Sequence, residues 1–333
     1  MEFLSEYGLF LAKTITIVIA VLIIASTSVA LSSRSHVRSR EHIKVKHLNR
    51  HYEAMANTLN NHMLSKKAVK EKLKALKKRH KAEAQGKTSR HPRMFVLNFQ
   101  GDIRASALSS LRQEITAILT VATPEDEVVL RLDSPGGLVT AYGLAASQLL
   151  RLKNKGLQLT VAVDKVAASG GYLMACVADR IIAAPFAIVG SIGVVAQMPN
   201  FHRLLDKNEI DFEQFTAGEY KRTVTLFGEN TDKGRQKLQE EIEETHGLFK
   251  EFVSTHRSVL DIPQVATGEH WYGAQALNLK LVDELRTSDD YLLEASQTAE
   301  LFEVKHVSKK PLMAKFFATG DSLLQRLGLI SPS

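Results

Sequence analysis

Cysteine is nearly absent from this chain of 333 residues: Cys176 stands alone, which excludes an intrachain disulfide. Its place in an apolar helical run reads as core rather than as a reactive thiol. Phosphate-cradling signatures are missing as well. No GxxxxGK[ST] occurs, and no GxGxxG stands between a strand and a helix, so the glycine-rich turns call for another use. Acidic residues are scarce in one segment, where Arg34 to Arg90 holds 17 Lys or Arg against 4 Asp or Glu. That segment carries +13 of a formal net +7 and leaves the remainder at −6, so the basic balance belongs to a local arm. Aromatics are scarce there too. With none interleaved beyond Tyr52, base stacking has little support and no specific nucleic-acid partner is expected.

One long apolar run is present. Thr14 to Leu31 is 18 residues without a charge, and at about 1.5 Å per residue it spans roughly 27 Å, enough to cross a bilayer. A cleavable signal peptide is the rival reading, but Glu2 and Glu6 against Lys13 make a poor n-region. A retained anchor is expected, with the lipid bilayer as a partner. Arg34, Arg38, Arg40, Lys44, Lys46 and Arg50 follow it, and the positive-inside rule then favours placing the chain after the anchor in the cytoplasm. From about Tyr52 to Ala84 the composition is that of a solvated basic helix near anionic lipid. Gly86 to Pro92 breaks it. The expected organisation is an anchor segment over 1–31, a basic helical arm and linker over 32–92, a folded domain over 93–302 and a tail over 303–333.

Beyond the linker, strands and helices alternate, which marks an α/β domain. Met94 to Phe99, Val128 to Asp133, Leu159 to Val163 and Arg180 to Ala184 read as buried strands. Ala107 to Ala122, Val139 to Leu152 and Gly170 to Ala178 read as helices between them. Ile181 to Met198 is apolar but broken by Pro185, Gly190 and Gly193, so it reads as core. Thr231 to Arg257 reads as a long amphipathic helix with Leu238, Ile242, Leu248, Phe249 and Phe252 on one side.

Three glycine-rich turns follow three of the strands: Asp133 to Gly137, Ser169 to Gly171 and Gly190 to Gly193. In an open α/β arrangement they lie at the carboxyl ends, where ligands bind and where glycine lets a backbone N–H approach a substrate oxygen. Ser169 sits between a strand end and a helix start. There it serves either as a helix cap or as a nucleophile favoured by free N–H groups. No histidine has a local signature suiting a base: six lie in the arm, and His202, His246, His256 and His270 are scattered in the body. A lysine serves instead when burial disfavours its charge. Lys221, after a small-residue turn and before an extended run, is one candidate, although by pattern alone it reads as an ordinary surface lysine.

SPGG at Ser134 to Gly137, AASGGY at Ala167 to Tyr172, GSIGV at Gly190 to Val194, GEYK at Gly218 to Lys221, and WYGAQAL with LVDEL at Trp271 to Leu277 and Leu281 to Leu285 resemble, in order and spacing, the signal-peptide-peptidase A (SppA) family. The resemblance covers about residues 93 to 290, and the anchor, basic arm and single catalytic unit resemble one branch of it. It implies a ClpP/crotonase-like fold of repeated ββα units and a Ser-Lys endopeptidase acting on short or membrane-derived peptides, signal-peptide remnants among them. It further implies Ser169 as nucleophile, Lys221 as general base, Ser191 as the hydroxyl that holds the lysine amine, and the Gly137 and Gly170 N–H groups as the oxyanion hole. Neither cofactor nor metal is expected. A homo-oligomer is implied, in which the lysine comes from the same or a neighbouring chain. Lys280 stands where the family commonly has glycine, and no second copy of SPGG or ASGGY occurs. A crotonase-like acyl-CoA enzyme and a catalytically silent membrane scaffold are the alternatives.

Overall fold

The computed structural model describes residues 8, 10, 11, 13–20, 42–84 and 92–307. Residues 13–20 are helical, and among the described residues no helix is long and apolar enough to cross a membrane. The rest of the expected anchor, residues 21–31, lies outside the described residues, as do Gly86 to His91 of the linker and the tail beyond Val307.

The chain runs β1 (His42–His47), α1 (Leu48–Met63), α2 (Lys66–Ala84), β2 (Arg93–Gln100), α3 (Leu108–Val121), β3 (Glu127–Asp133), α4 (Val139–Asn154), β4 (Gln158–Val163), β5 (Val166–Ala168) and α5 (Gly170–Ala175). It continues with β6 (Arg180–Ala183), β7 (Ile188–Gly190), α6 (His202–Lys207), α7 (Asp232–His256), α8 (Ile262–Val265), β8 (His270–Tyr272), α9 (Gly273–Asn278), β9 (Glu284–Leu285), α10 (Ser288–Ala295) and β10 (Glu300–Val307). A seven-stranded sheet has the order β1-β10-β2-β3-β4-β6-β9, and its run from β10 to β9 is parallel. A second sheet of three strands has the order β5-β7-β8. This is a mixed α/β fold around a parallel sheet.

The sequence dictates that layout. Met94 to Leu97, Val128 to Leu130 and Leu159 to Val163 are buried in unbroken runs, as strands covered on both faces must be. Leu111, Ile115 and Ile118 of α3 and Tyr142, Ala145, Ala146, Leu149 and Leu152 of α4 fall at helical spacing and are all buried. Each large side chain among them contributes about 1.5 to 3 kcal/mol of burial. Cys176 is core, as expected: its thiol donates to the Leu173 carbonyl, and burial pushes it up to about 12.

Two expectations are corrected and one is extended. The arm begins before Tyr52 and forms two helices, broken at Leu64 and Ser65; its described residues are mostly exposed, as expected, but the first turn of α1 is packed. Leu48 is buried with Met94, Val96, Val129, Leu292 and Leu301, while the Asn49 amide donates to the Ser296 and Ala299 carbonyls. The apolar stretch from Ile181 is core up to Ile192 except at the Pro185–Phe186 turn, which faces solvent as Val195 and Met198 do. On α7, which Thr231 caps by accepting from the Gly234 N–H, Leu248 points outward and Val253 is the buried residue.

Candidate active site

Two parallel strands bring two serines side by side. Ala168 at the end of β5 pairs with Gly190 at the end of β7, so the next residues, Ser169 and Ser191, continue the register. The Ser169 N–H donates to the Gly190 carbonyl at 2.8 Å, and the Ser191 N–H donates to the Glu269 carbonyl at 2.7 Å. Both serines have φ of 52°, outside the comfortable range of an L-residue. At Ser169 this comes with ψ of −121°, a combination that costs about 1 to 3 kcal/mol and persists only where the surroundings impose it.

The surroundings of Ser169 are specific. Behind it, α5 begins with two glycines that nothing larger could replace. A Cβ on Gly170 would lie 2.4 Å from the Tyr142 ring, and one on Gly171 would lie 2.4 Å from the Ser134 carbonyl. In front lies the turn after β3. A Cβ on Gly136, whose φ is +88°, would stand 2.7 Å from the Gly170 nitrogen and 2.9 Å from the Ser169 Cβ. Gly137 follows, exposed, with its Cα pressed against the Ile103 carbonyl.

The result is a sharp strand-turn-helix corner with the Ser169 hydroxyl at its apex. Although Ser169 occupies the position before α5, its side chain makes no capping bond. The hydroxyl is half-buried and left for something else. Among the described residues the Gly137 N–H has no acceptor, while its neighbours do: Gly136 donates to Ser134 Oγ at 3.2 Å and Leu138 to the Ile103 carbonyl at 2.8 Å. The Gly170 N–H, first of its helix, is likewise without an acceptor among the described residues. An oxygen atom gaining negative charge beside Ser169 would meet these donors. Such a corner can hold an acyl group on the serine.

Lys221 stands apart. It lies in the irregular segment between α6 and α7, follows a turn closed by its own N–H to the Gly218 carbonyl at 3.2 Å, and is exposed. No recorded hydrogen bond joins its amine to Ser169 or Ser191. Glu219 of the same motif pairs with Lys233. Thus Ser169, Ser191, Gly137 and Gly170 are brought together, and Lys221 is not joined to them within one chain.

Sequence reasoning passed over Ser134 and Tyr142. Tyr142 is fully buried, and its hydroxyl lies 2.7 Å from Ser134 Oγ and 2.8 Å from the Asp102 carbonyl. Burial pushes the phenol above its ordinary value, against the opposing bond from Ser134. The absence of a polar residue elsewhere along the buried face of α4 was the only signal, and one tyrosine in an apolar stripe reads as core. His246 of α7 was also unassigned; its Nε2 lies 3.2 Å from the Ile192 carbonyl, next to Ser191. Asp133, by contrast, is the turn residue expected: its carbonyl accepts from Gly101, and its carboxylate faces Lys165 at 3.7 Å.

A strained serine corner and, among the described residues, N–H groups without acceptors thus stand together at the carboxyl edge of a parallel sheet. The chain belongs to peptidase family S49: residues 2–149 match the model described as peptidase family S49 N-terminal, and residues 151–302 match the peptidase family S49 model. It is 52% identical over 327 residues to a probable protease SohB of Haemophilus influenzae, covering 95% of this chain and 92% of that protein. It is 47% identical over 320 residues to a probable protease SohB of Buchnera aphidicola, covering 96% and 94%. Among solved structures, a membrane-bound stomatin-specific protease superposes with a TM-score of 0.42 at 13% identity, over 62% of this chain and 85% of that one. The family read from SPGG, AASGGY and GSIGV is therefore the right one, and the chain is a protease of that family.

Proposed function

We propose that this peptidase is a membrane-anchored serine endopeptidase with a Ser169-Lys221 dyad. The observation that carries the proposal is the Ser169 corner, strained and free of any capping bond, beside the acceptorless N–H of Gly137. Ser169 Oγ attacks the scissile carbonyl carbon while the Lys221 amine takes its proton. The resulting oxyanion is held by the Gly137 and Gly170 N–H groups. Collapse expels the amine, which receives the proton from Lys221, and leaves an ester on Ser169. Water then attacks the ester with Lys221 again as base. The Ser191 hydroxyl, in register beside Ser169, holds the lysine amine.

A lysine acts as base only as the free amine, which burial favours, and Lys221 is exposed in the single chain. The same segment also exposes Val195 (77%) and Phe215 (90%). We therefore read the working enzyme as a homo-oligomer whose assembly covers this apolar surface and completes the dyad, in cis or from a neighbour. The fold is read as the ClpP/crotonase type, organised as anchor 1–31, arm 32–92, catalytic domain 93–302 and tail 303–333. The substrates proposed are short or membrane-derived peptides such as signal-peptide remnants, met at a bacterial inner membrane, with the catalytic domain on the cytoplasmic face by the charge rule. No cofactor enters the scheme. Membership of a peptidase family favours peptide hydrolysis over acyl-CoA chemistry or a silent scaffold.

Ser169→Ala and Lys221→Ala are expected each to abolish cleavage of a fluorogenic peptide with the thermal melt preserved. Undiminished turnover in either variant would remove that residue from the mechanism, and turnover of an acyl-CoA thioester in place of the peptide would favour the crotonase-like reading.

A further inference from the structure

We propose that Tyr142 and Ser134 are positioning residues that aim the Gly137 N–H at the developing oxyanion through a one-way chain of hydrogen bonds. The inference rests on Gly137 being an oxyanion donor, as proposed above.

The direction of the chain follows from its two ends. The Asp102 main-chain carbonyl has no hydrogen, so at 2.8 Å the Tyr142 hydroxyl must donate to it. A phenol has one hydrogen. The Tyr142 oxygen, 2.7 Å from Ser134 Oγ, must therefore accept the hydrogen of Ser134. With its own hydrogen committed, Ser134 Oγ accepts from the Gly136 N–H at 3.2 Å. The order is Gly136 N–H to Ser134 to Tyr142 to the Asp102 carbonyl, and each bond polarises the next in a site from which water is excluded. Ser134 and Tyr142 are both fully buried.

This chain ties two loops together, and Gly137 lies between its anchor points. The loop after β2 receives the Tyr142 hydroxyl on Asp102, and its Ile103 carbonyl accepts the Leu138 N–H at 2.8 Å. The turn after β3 is held through Gly136 and Leu138, so the intervening peptide has one orientation, with its N–H projecting free of both loops. A Cβ on Gly137 would fall 2.2 Å from the Ile103 oxygen, so the turn and the loop are already at closest approach. The same tyrosine floors the other donor, since its ring lies where a Cβ on Gly170 would stand. Tyr142→Phe keeps that floor and removes only the hydroxyl.

The test compares Tyr142→Phe, Ser134→Ala and the double variant in the full-length enzyme, with Ser169→Ala as control. It measures kcat and KM on a fluorogenic peptide, inhibition by a peptide boronic acid, the fraction of sites titrated by an acylating probe, and the thermal melt. Each single variant is expected to lower kcat per titrated site by about tenfold to a hundredfold with KM within about twofold, since the loss falls on the transition state alone. Boronate affinity is expected to fall by the same factor, because its tetrahedral oxygen occupies the oxyanion position. The double variant is expected to be little worse than the worse single one. Wild-type kcat and boronate affinity in Tyr142→Phe overturn the proposal while leaving the dyad standing. A lowered melt with fewer titrated sites but unchanged kcat per site overturns it as well, by making the pair merely structural. Cleavage by Ser169→Ala removes the dyad and the positioning role together.

Discussion

The two stretches proposed to carry the chemistry of this protease are built in opposite ways. The turns at Ser134 to Gly137 and Ser169 to Gly171 are packed so closely that four glycine positions admit no Cβ: Gly136 and Gly171 against the facing turn, Gly137 against Ile103 and Gly170 against Tyr142. The segment from Val195 to Asn230 that carries Lys221 has one short helix, and many of its apolar side chains face solvent. Oxyanion stabilisation requires donors fixed before the reaction begins, and one chain can supply that by packing. A lysine base requires removal from water, and the single chain does not supply that. The contrast separates what folding completes from what assembly is proposed to complete.

The sharpest way to break the contrast is to make one chemical change in both regions. Gly136→Ala is expected to cost about 3 kcal/mol or more and to abolish activity, because a Cβ there meets backbone at 2.7 Å in a left-handed conformation. Gly218→Ala places the same methyl in open space at φ +96° and is expected to cost only about 1 kcal/mol. Denaturant melts of the two variants check the difference; equal losses would remove it.

Rigidity in the body has an electrostatic part that can be titrated. Burial pushes the Asp126 carboxyl up, but the Arg93 guanidinium and the Thr123 N–H outweigh it and hold the carboxyl below its ordinary value. A depressed carboxyl stabilises fully above its unfolded value of about 3.9, and the contribution fades as pH falls through the folded value. Asp126→Asn is therefore expected to lose about 2 kcal/mol at neutral pH, and the gap to the parent should close in acid. Melts at pH 7 and pH 3 read this directly.

Smaller effects test where strain is kept. Ser169→Gly is expected to melt higher than Ser169→Ala by about 1 to 2 kcal/mol while both are inactive, because glycine relieves φ of 52°. Lys280 has φ of 59°, and its carbonyl is held by the Arg257 guanidinium, itself buried against Asp283. Lys280→Gly is expected to add about 0.5 to 1 kcal/mol without changing turnover, which would mark that strain as incidental to catalysis.

Much of this was readable from residues. Apolar runs and their spacing placed β2, β3, β4 and β6 of the parallel sheet and the helices α3, α4 and α7 to within a few residues, because burial on both faces leaves an unbroken signal, whereas the short β9 and the half-exposed β10, which runs into the expected tail, were not placed. Lys280 was marked only by the family resemblance, which has glycine there, and its positive φ gives the reason. The Ser169 corner was legible as a place but not as a shape, since nothing in AASGGY reveals φ of 52° or a missing cap. Ser134 and Tyr142 were hidden because their partners are a main-chain N–H and a main-chain carbonyl, which any sequence possesses. The outward turn of Leu248 and the solvent exposure of Val195 escaped because apolar residues kept for a surface look the same as those kept for a core.

Cys176, sealed at the end of α5 behind the Ser169 corner, has a practical consequence. Its thiol is buried, bonded to the Leu173 carbonyl and pushed up by burial, so the natural protein is expected to resist maleimide at neutral pH. A cysteine introduced in the exposed Lys221 segment would take a fluorophore or spin label selectively, with no native residue removed, and distances between labelled copies would report the assembly itself.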